Sequence, residues 1–201
     1  MFENEIAEAR SEDSEIRDRT FEGLTVTEAD CSGLDFQSVT FDGCRFVECG
    51  FSKASFYDCR FVHCDLSNCR LTDSYWKGCT VEGSKLYGAE LTGSILKQTE
   101  LRTSILAYAL FSECSFEDTK LTECDLSNAL FSRVKLKRTT FGRCRFVRTE
   151  LFGTPLKGLD LSDCELSGIL VSDTFSELRG VSVSYDQAAE LAGLLGIKIK
   201  I

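Results

Sequence analysis

Residues 44–68 read CRFVE CGFSK ASFYD CRFVH CDLSN, five units of five residues in which the third is Phe or Leu and the first is Cys or Ala. The phase holds outward from this stretch without a slip. From Phe21 to Val171 every fifth residue is apolar, 31 positions holding twelve Phe, fourteen Leu, three Val, Cys31 and Trp76. Two places before each of them lies a second class, 26 of 31 being Ala, Cys, Ser, Thr or Val, and ten of the eleven cysteines stand there. A period of five fits neither the 3.6 of an amphipathic helix nor the 2 of a strand. One large and one small side chain per unit must therefore point inward in a repeating structure that stacks on itself.

The unit CDLSN, at 64–68 and again at 124–128, resembles the A(D/N)LXX repeat of the pentapeptide-repeat family, and the resemblance runs over about residues 16–175. It implies an all-β solenoid, a right-handed quadrilateral parallel β-helix in which four units make one coil. Twenty-residue coils over 16–175 number about eight, a rod of ~38 Å at ~4.8 Å per β-layer. Residues 1–15 are then an acidic N-terminal segment or cap, and 176–201 a C-terminal module of helix and strand for capping and dimerisation. Ser184 and Gln187 have capping-box spacing, Ala188, Leu191, Ala192 and Leu195 share a helical face and Gly196 is a stop, so a helix is expected at about 185–195. Ile197, Ile199 and Ile201 alternate with Lys198 and Lys200, which reads as a short strand.

Composition narrows the function. Lys+Arg 23 against Asp+Glu 32 gives a net charge of −9, which disfavours direct binding to nucleic acid. No apolar run approaches the ~20 residues of a membrane span. The first eighteen residues carry seven acids and two arginines and lack a signal-peptide pattern, so a cytoplasmic protein with reduced thiols is expected. Cysteines at five-residue steps, with no C-x-x-C, suit small buried fillers better than a metal site. His63, the one histidine, falls where the repeat points outward. Phosphate-loop, dinucleotide and H-E-x-x-H motifs are absent. No enzyme activity, cofactor or metal is expected. Trp76 is central and its buried N–H needs a partner that the sequence does not identify.

Folding the chain into four faces turns the charges into a map. The face centred on Phe21 and Phe41 carries Glu22, Asp42, Glu82, Glu100, Glu123, Asp160 and Asp163 and nets −3, as does the face centred on Cys31 and Phe51, which adds a hydroxyl ladder from Ser32 to Ser132. The face centred on Phe36 and Trp76 nets +2. Residues 131–149 hold seven bases and no acid, which the coil disperses into a belt open to an acidic partner. Tyr87, Ile105 and Tyr108 stand together on the face centred on Leu86 and Leu106.

The ending LRGVSVSYDQAAELAGLLGIKIKI resembles that of Qnr-type and MfpA-type quinolone-resistance proteins, dimeric rods regarded as duplex mimics that bind DNA gyrase or topoisomerase IV. The resemblance implies a homodimer through Leu191, Leu194, Leu195, Ile197 and Ile199, and a DNA-mimicking protein that protects the topoisomerase from fluoroquinolones. Its partner-binding acidic residues would be Glu22, Asp42, Glu82, Glu100, Asp160 and Asp163. Many Qnr members carry loops that interrupt the repeats, whereas the phase here is continuous. Self-immunity against another topoisomerase toxin, and a general interaction scaffold with no topoisomerase partner, are the alternatives.

Overall fold

The computed structural model describes residues 2–200. Three-residue strands alternate with corners and stack in parallel, each residue opposite the one twenty later. The first sheet has seven strands: Ile16–Arg17, Asp35–Gln37, Ser55–Tyr57, Tyr75–Lys77, Ile95–Lys97, Ser115–Glu117 and Lys135–Lys137. The second also has seven: Thr20–Glu22, Thr40–Asp42, Arg60–Val62, Thr80–Glu82, Glu100–Arg102, Lys120–Thr122 and Thr140–Gly142. A third, Thr25–Thr27 with Arg45–Val47, continues as single bridges, and the fourth face is bridges throughout. The regular sheets thus make about six turns rather than eight. Beyond Gly142 the coil is carried by bridges such as Arg145 with Glu165 and Glu150 with Leu170.

Both inward classes are buried along most of the rod, as the five-residue phase requires; toward its ends Arg19 is exposed and Leu24, Ala29, Leu136, Leu159 and Val171 are only partly covered. Phenylalanines of adjacent coils stack, Phe21 on Phe41 at 5.4 Å and Phe41 on Phe61 at 5.0 Å between ring centroids. The small inward residue has a second duty that explains why Cys, Ser and Thr interchange there: its hydrogen reaches a carbonyl 23 residues back. Cys114 Sγ donates to Leu91 O at 3.0 Å, Thr119 Oγ1 to Leu96 O at 3.0 Å and Thr149 Oγ1 to Leu126 O at 2.8 Å. Trp76 Nε1 donates to Ser74 Oγ at 2.8 Å, the partner that the sequence left unnamed.

The corners are the feature that periodicity did not reveal. Of the 31 positions two after the central residues or their equivalents, from Asp18 to Gly168, all but Asp163 have positive φ. Twenty are not glycine, although the left-handed region costs an L-residue ~1–2 kcal/mol. The ladder holds most of them there, the corner amide bonding the next coil, as Asp58 N does to Lys77 O at 2.8 Å. At Gly83, φ +57°, a Cβ would also lie 2.7 Å from His63 Cδ2, which leans over it from the coil before.

Helix α1, Phe2–Glu12, lies over the first coil and inserts Phe2 among Phe21, Phe36, Phe41 and Phe46, with centroids 5.0–6.5 Å apart. At the other end Glu177, in the 3-10 turn Ser176–Leu178, accepts from Gly153 N at 2.8 Å and Ser172 Oγ at 2.8 Å. Helix α2, Tyr185–Leu194, starts with the expected capping box. Its buried side chain is Gln187, whose Nε2 donates to Leu161 O at 2.9 Å and Cys164 O at 2.5 Å; Ala188 and Leu195, expected on the apolar face, are exposed. A polar side chain wins that place because the last coil presents bare carbonyls. Residues 197–200 form no strand, since no edge of their own chain lies beside them; Ile201 lies outside the described residues.

Candidate partner-binding faces

The second sheet gathers the acidic side chains of the sequence map into columns. Glu22 stands beside Asp42, and Glu82 follows two layers on, across Val62, with Arg102 next. Glu100 belongs to the neighbouring column, paired with Lys120 at 3.9 Å and held by Arg102. Among the described residues Glu22 and Glu82 have no ion pair, and Asp42 has only His63 Nδ1 at 4.0 Å. The Ser162 hydroxyl and the Ser162 amide, which donates to Asp160 at 3.0 Å, together hold the Asp160 carboxyl below the usual range, and with Asp163 it lies at the C-terminal end of the face. Five of the six predicted carboxylates are therefore exposed and free of a strong basic partner. Glu100 is not.

The belt at 131–149 is not free charge. Arg133, Lys137, Arg138 and Arg143 each reach back one coil, to Glu113, Glu117, Asp118 and Glu123 at 2.5–2.6 Å. Arg145 lies 3.6 Å from Asp125 and 2.9 Å from Glu165. The hydrogen bonds from Lys137 and Arg138 hold the Glu117 carboxyl below its ordinary value, and that from Arg138 does so for Asp118. The signal was present in the sequence as opposite charges twenty apart. Summing each face hid it.

All eleven cysteines are free thiols and buried. Burial pushes Cys64, Cys69 and Cys114 up to about 12, so none of these is a thiolate at neutral pH, the form that attacks or binds metal. His63 is exposed, its side chain 70% accessible. The hydroxyl ladder forms in part, Ser52 Oγ with Thr72 Oγ1 at 2.9 Å, while Ser132 turns to Glu150 at 2.7 Å. Tyr87 and Tyr108 meet at 5.1 Å beside Ile105, all three exposed. At the C-terminus Leu194, Leu195, Ile197 and Ile199 are exposed, while Leu191 packs partly against the core. Among the described residues no helix is long and apolar enough to cross a membrane.

No curated protein sequence matches the chain significantly. Two trypsin-treated forms of QnrB1, a plasmid-mediated fluoroquinolone resistance protein, are structurally similar. One, an Arg-to-Glu variant, has a TM-score of 0.54 at 23% identity over 92% of this chain and 97% of its own. The other, a Met-to-Arg variant, has a TM-score of 0.54 at 24% identity over 90% of each chain. These likenesses agree on the fold. The sequence profile for a pentapeptide repeat region matches residues 34–106, and that for pentapeptide repeats matches 109–146 and 129–168, together well over half of the chain. With the five-residue phase unbroken from Phe21 to Val171, the protein belongs to the pentapeptide-repeat family.

Proposed function

We propose that this protein binds a type II topoisomerase, DNA gyrase or topoisomerase IV, in place of DNA and thereby relieves fluoroquinolone inhibition. The observation that carries the reading is the second-sheet face, where Glu22, Asp42 and Glu82 stand on a regular ladder without a strong basic partner. A rod that presents carboxylates at fixed layer spacing suits a surface built for phosphates. The internal pairing of the basic belt supports it, because those cations are already engaged. The QnrB1 likeness and the C-terminal sequence resemblance support it from the side of kinship. The exposed Leu194, Leu195, Ile197 and Ile199 suit a two-fold contact between chains. The fold is one of structure and interaction rather than catalysis.

The test is titration of the protein into a gyrase supercoiling assay with and without a fluoroquinolone. Rescue of supercoiling in drug is the expected result. Glu22→Lys, Asp42→Lys and Glu82→Lys combined should abolish it; rescue that survives this reversal rules the face out. Leu194→Asp with Leu195→Asp should sediment as a monomer, and an unchanged mass would refute the dimer. A scaffold without a topoisomerase partner is favoured by one feature, the Tyr87, Ile105 and Tyr108 patch on another face. It predicts no effect in either assay.

A further inference from the structure

The third face begins with the strands Thr25–Thr27 and Arg45–Val47 and continues as single bridges, and one column of its outward side chains is charged almost throughout. Each member bridges the residue twenty later, Arg45 to Asp65, Asp65 to Lys85, Lys85 to Ile105, and onward through Asp125 and Arg145 to Glu165. The signs run plus, minus, plus before Ile105 and minus, plus, minus after it. An unbroken alternation would place equal charges at equal distances on the two sides of Ile105. The reset at Ile105 makes them opposite: Lys85 mirrors Asp125, Asp65 mirrors Arg145 and Arg45 mirrors Glu165.

The middle of this column is apolar. Ile105 is exposed, as is Tyr108 at the corner of the same coil, and Tyr87 from the coil before meets Tyr108 at 5.1 Å. The two halves differ within their own chain. Arg145 engages Asp125 at 3.6 Å and Glu165 at 2.9 Å, whereas Arg45, Asp65 and Lys85 have no ion pair among the described residues.

The geometry points to a self-association surface: two copies lie side by side and antiparallel through this face, related by a two-fold axis that crosses it at the layer of Ile105. The axis brings Ile105 and Tyr108 of both chains to the centre and aligns each charge with its opposite, Lys85 with Asp125, Asp65 with Arg145 and Arg45 with Glu165, every pair occurring twice. The unpaired half of one chain thus meets the paired half of the other. At the corner of the face Glu48 falls opposite Gly168 and Arg148 opposite Asn68, so no like pair arises there. Charge selects both the occupant and its direction. Six charges of alternating sign sum to zero and fit no uniformly acidic or basic partner, and parallel copies in register would set Lys85 on Lys85 and Asp125 on Asp125. Six layer steps of ~4.8 Å by five residues of ~3.3 Å cover about 500 Å² per chain, ~1,000 Å² in all, the lower bound of a specific interface. The association is therefore weak and reversible. It uses neither the second-sheet face nor the C-terminal residues, and stands whether or not a topoisomerase binds.

Sedimentation velocity at up to about 0.5 mM protein tests it, with Leu194→Asp and Leu195→Asp present throughout so that the C-terminal contact does not contribute. That chain should pass from monomer to dimer as its concentration rises. Lys85→Glu or Asp125→Lys, added singly, opposes like charges at two places and should weaken the dimer at least about tenfold. In an equimolar mixture of the two variants a dimer of one chain of each has opposite charges at both places again, so the mixture should associate at least about tenfold more tightly than either variant alone. Rescue by mixing reports contact between chains, since no change within one chain produces it. Three results overturn the proposal: a monomer at every concentration, undiminished association of either single variant, or a mixture no tighter than its components.

Discussion

Replacing Phe2 by Ala tests whether the N-terminal helix is a structural end-piece of the rod. An isolated helix of eleven residues is marginal in water, so α1 exists because it docks. Its attachment rests on Phe2 and Ala9, both buried, on partly buried Ile6, and on two surface ion pairs, Arg10 with Asp30 at 3.1 Å and Arg19 with Glu5 at 3.0 Å. Removing a fully packed phenyl group costs ~3–5 kcal/mol, while exposed ion pairs supply only ~0.2–1 kcal/mol each. The residual contacts are too weak to hold the helix over a cavity of that size. In Phe2→Ala it should therefore undock and leave Phe21, Phe36, Phe41 and Phe46 at a wet end.

Because each coil touches only its neighbours, the damage should stay local. Native-state hydrogen exchange at Phe36, Phe41 and Phe46 should accelerate by about a hundredfold, the equivalent of ~3 kcal/mol, while exchange at Phe116 and Leu121 stays within about twofold. Unfolding should broaden rather than shift as one transition, since long repeat arrays lose two-state behaviour. Equal acceleration along the rod, or none at the N-terminal strands, would refute the end-piece account.

Acid should open the opposite end. Hydrogen bonds from the Gly153 amide and Ser172 outweigh the burial of Glu177 and hold its pKa below the ordinary 4.5, so its contribution is complete above about pH 4.5 and declines as pH falls through the lowered value. Glu177→Gln should cost ~1–2 kcal/mol at neutral pH and flatten the acid limb of C-terminal exchange; an unaltered acid limb counts against the assignment. Ser74→Ala strips Trp76 of its acceptor and Ser94 Oγ of its 2.9 Å partner. Urea titration followed by tryptophan fluorescence should give a loss of ~1–3 kcal/mol, and a neutral result would mean that the indole finds another acceptor.

The five-residue phase made the core legible because packing alone sets it: every central residue must fill the coil, so Phe21 through Val171 announce themselves. Features that depend on pairing between coils were harder to read. Arg143 opposite Glu123 is written at a distance of twenty residues, which a face-by-face sum erases. Phe2 lies outside the phase and its role follows from where α1 ends up, not from its spacing. Pro155 sits among residues whose inward pattern is intact, Leu151, Leu156 and Leu161, so apolar periodicity passes over it while the hydrogen-bond ladder does not. That difference accounts for the count of about six regular turns against the eight that periodicity gives. The isoleucine alternation at the tail reports a capacity for pairing, and among the described residues 197–200 pair with no strand.

Charge pairing between coils also changes what the acidic surface can offer. Since Glu113, Glu117, Asp118 and Glu123 are bound by the bases one coil later, the available carboxylates concentrate toward the N-terminal half of the second sheet, with Asp160 and Asp163 at its far end. Glu22 to Glu82 spans three layers, ~14 Å at ~4.8 Å each, a length over which duplex DNA carries about eight phosphate charges. Three carboxylates cannot reproduce that density. A topoisomerase that accepted the rod would have to recognise a few positions in register rather than a uniform field. Single reversals at Glu22, Asp42 or Glu82 should then act unequally and change dissociation more than association, whereas mimicry by bulk charge makes the three equivalent and strongly salt-dependent.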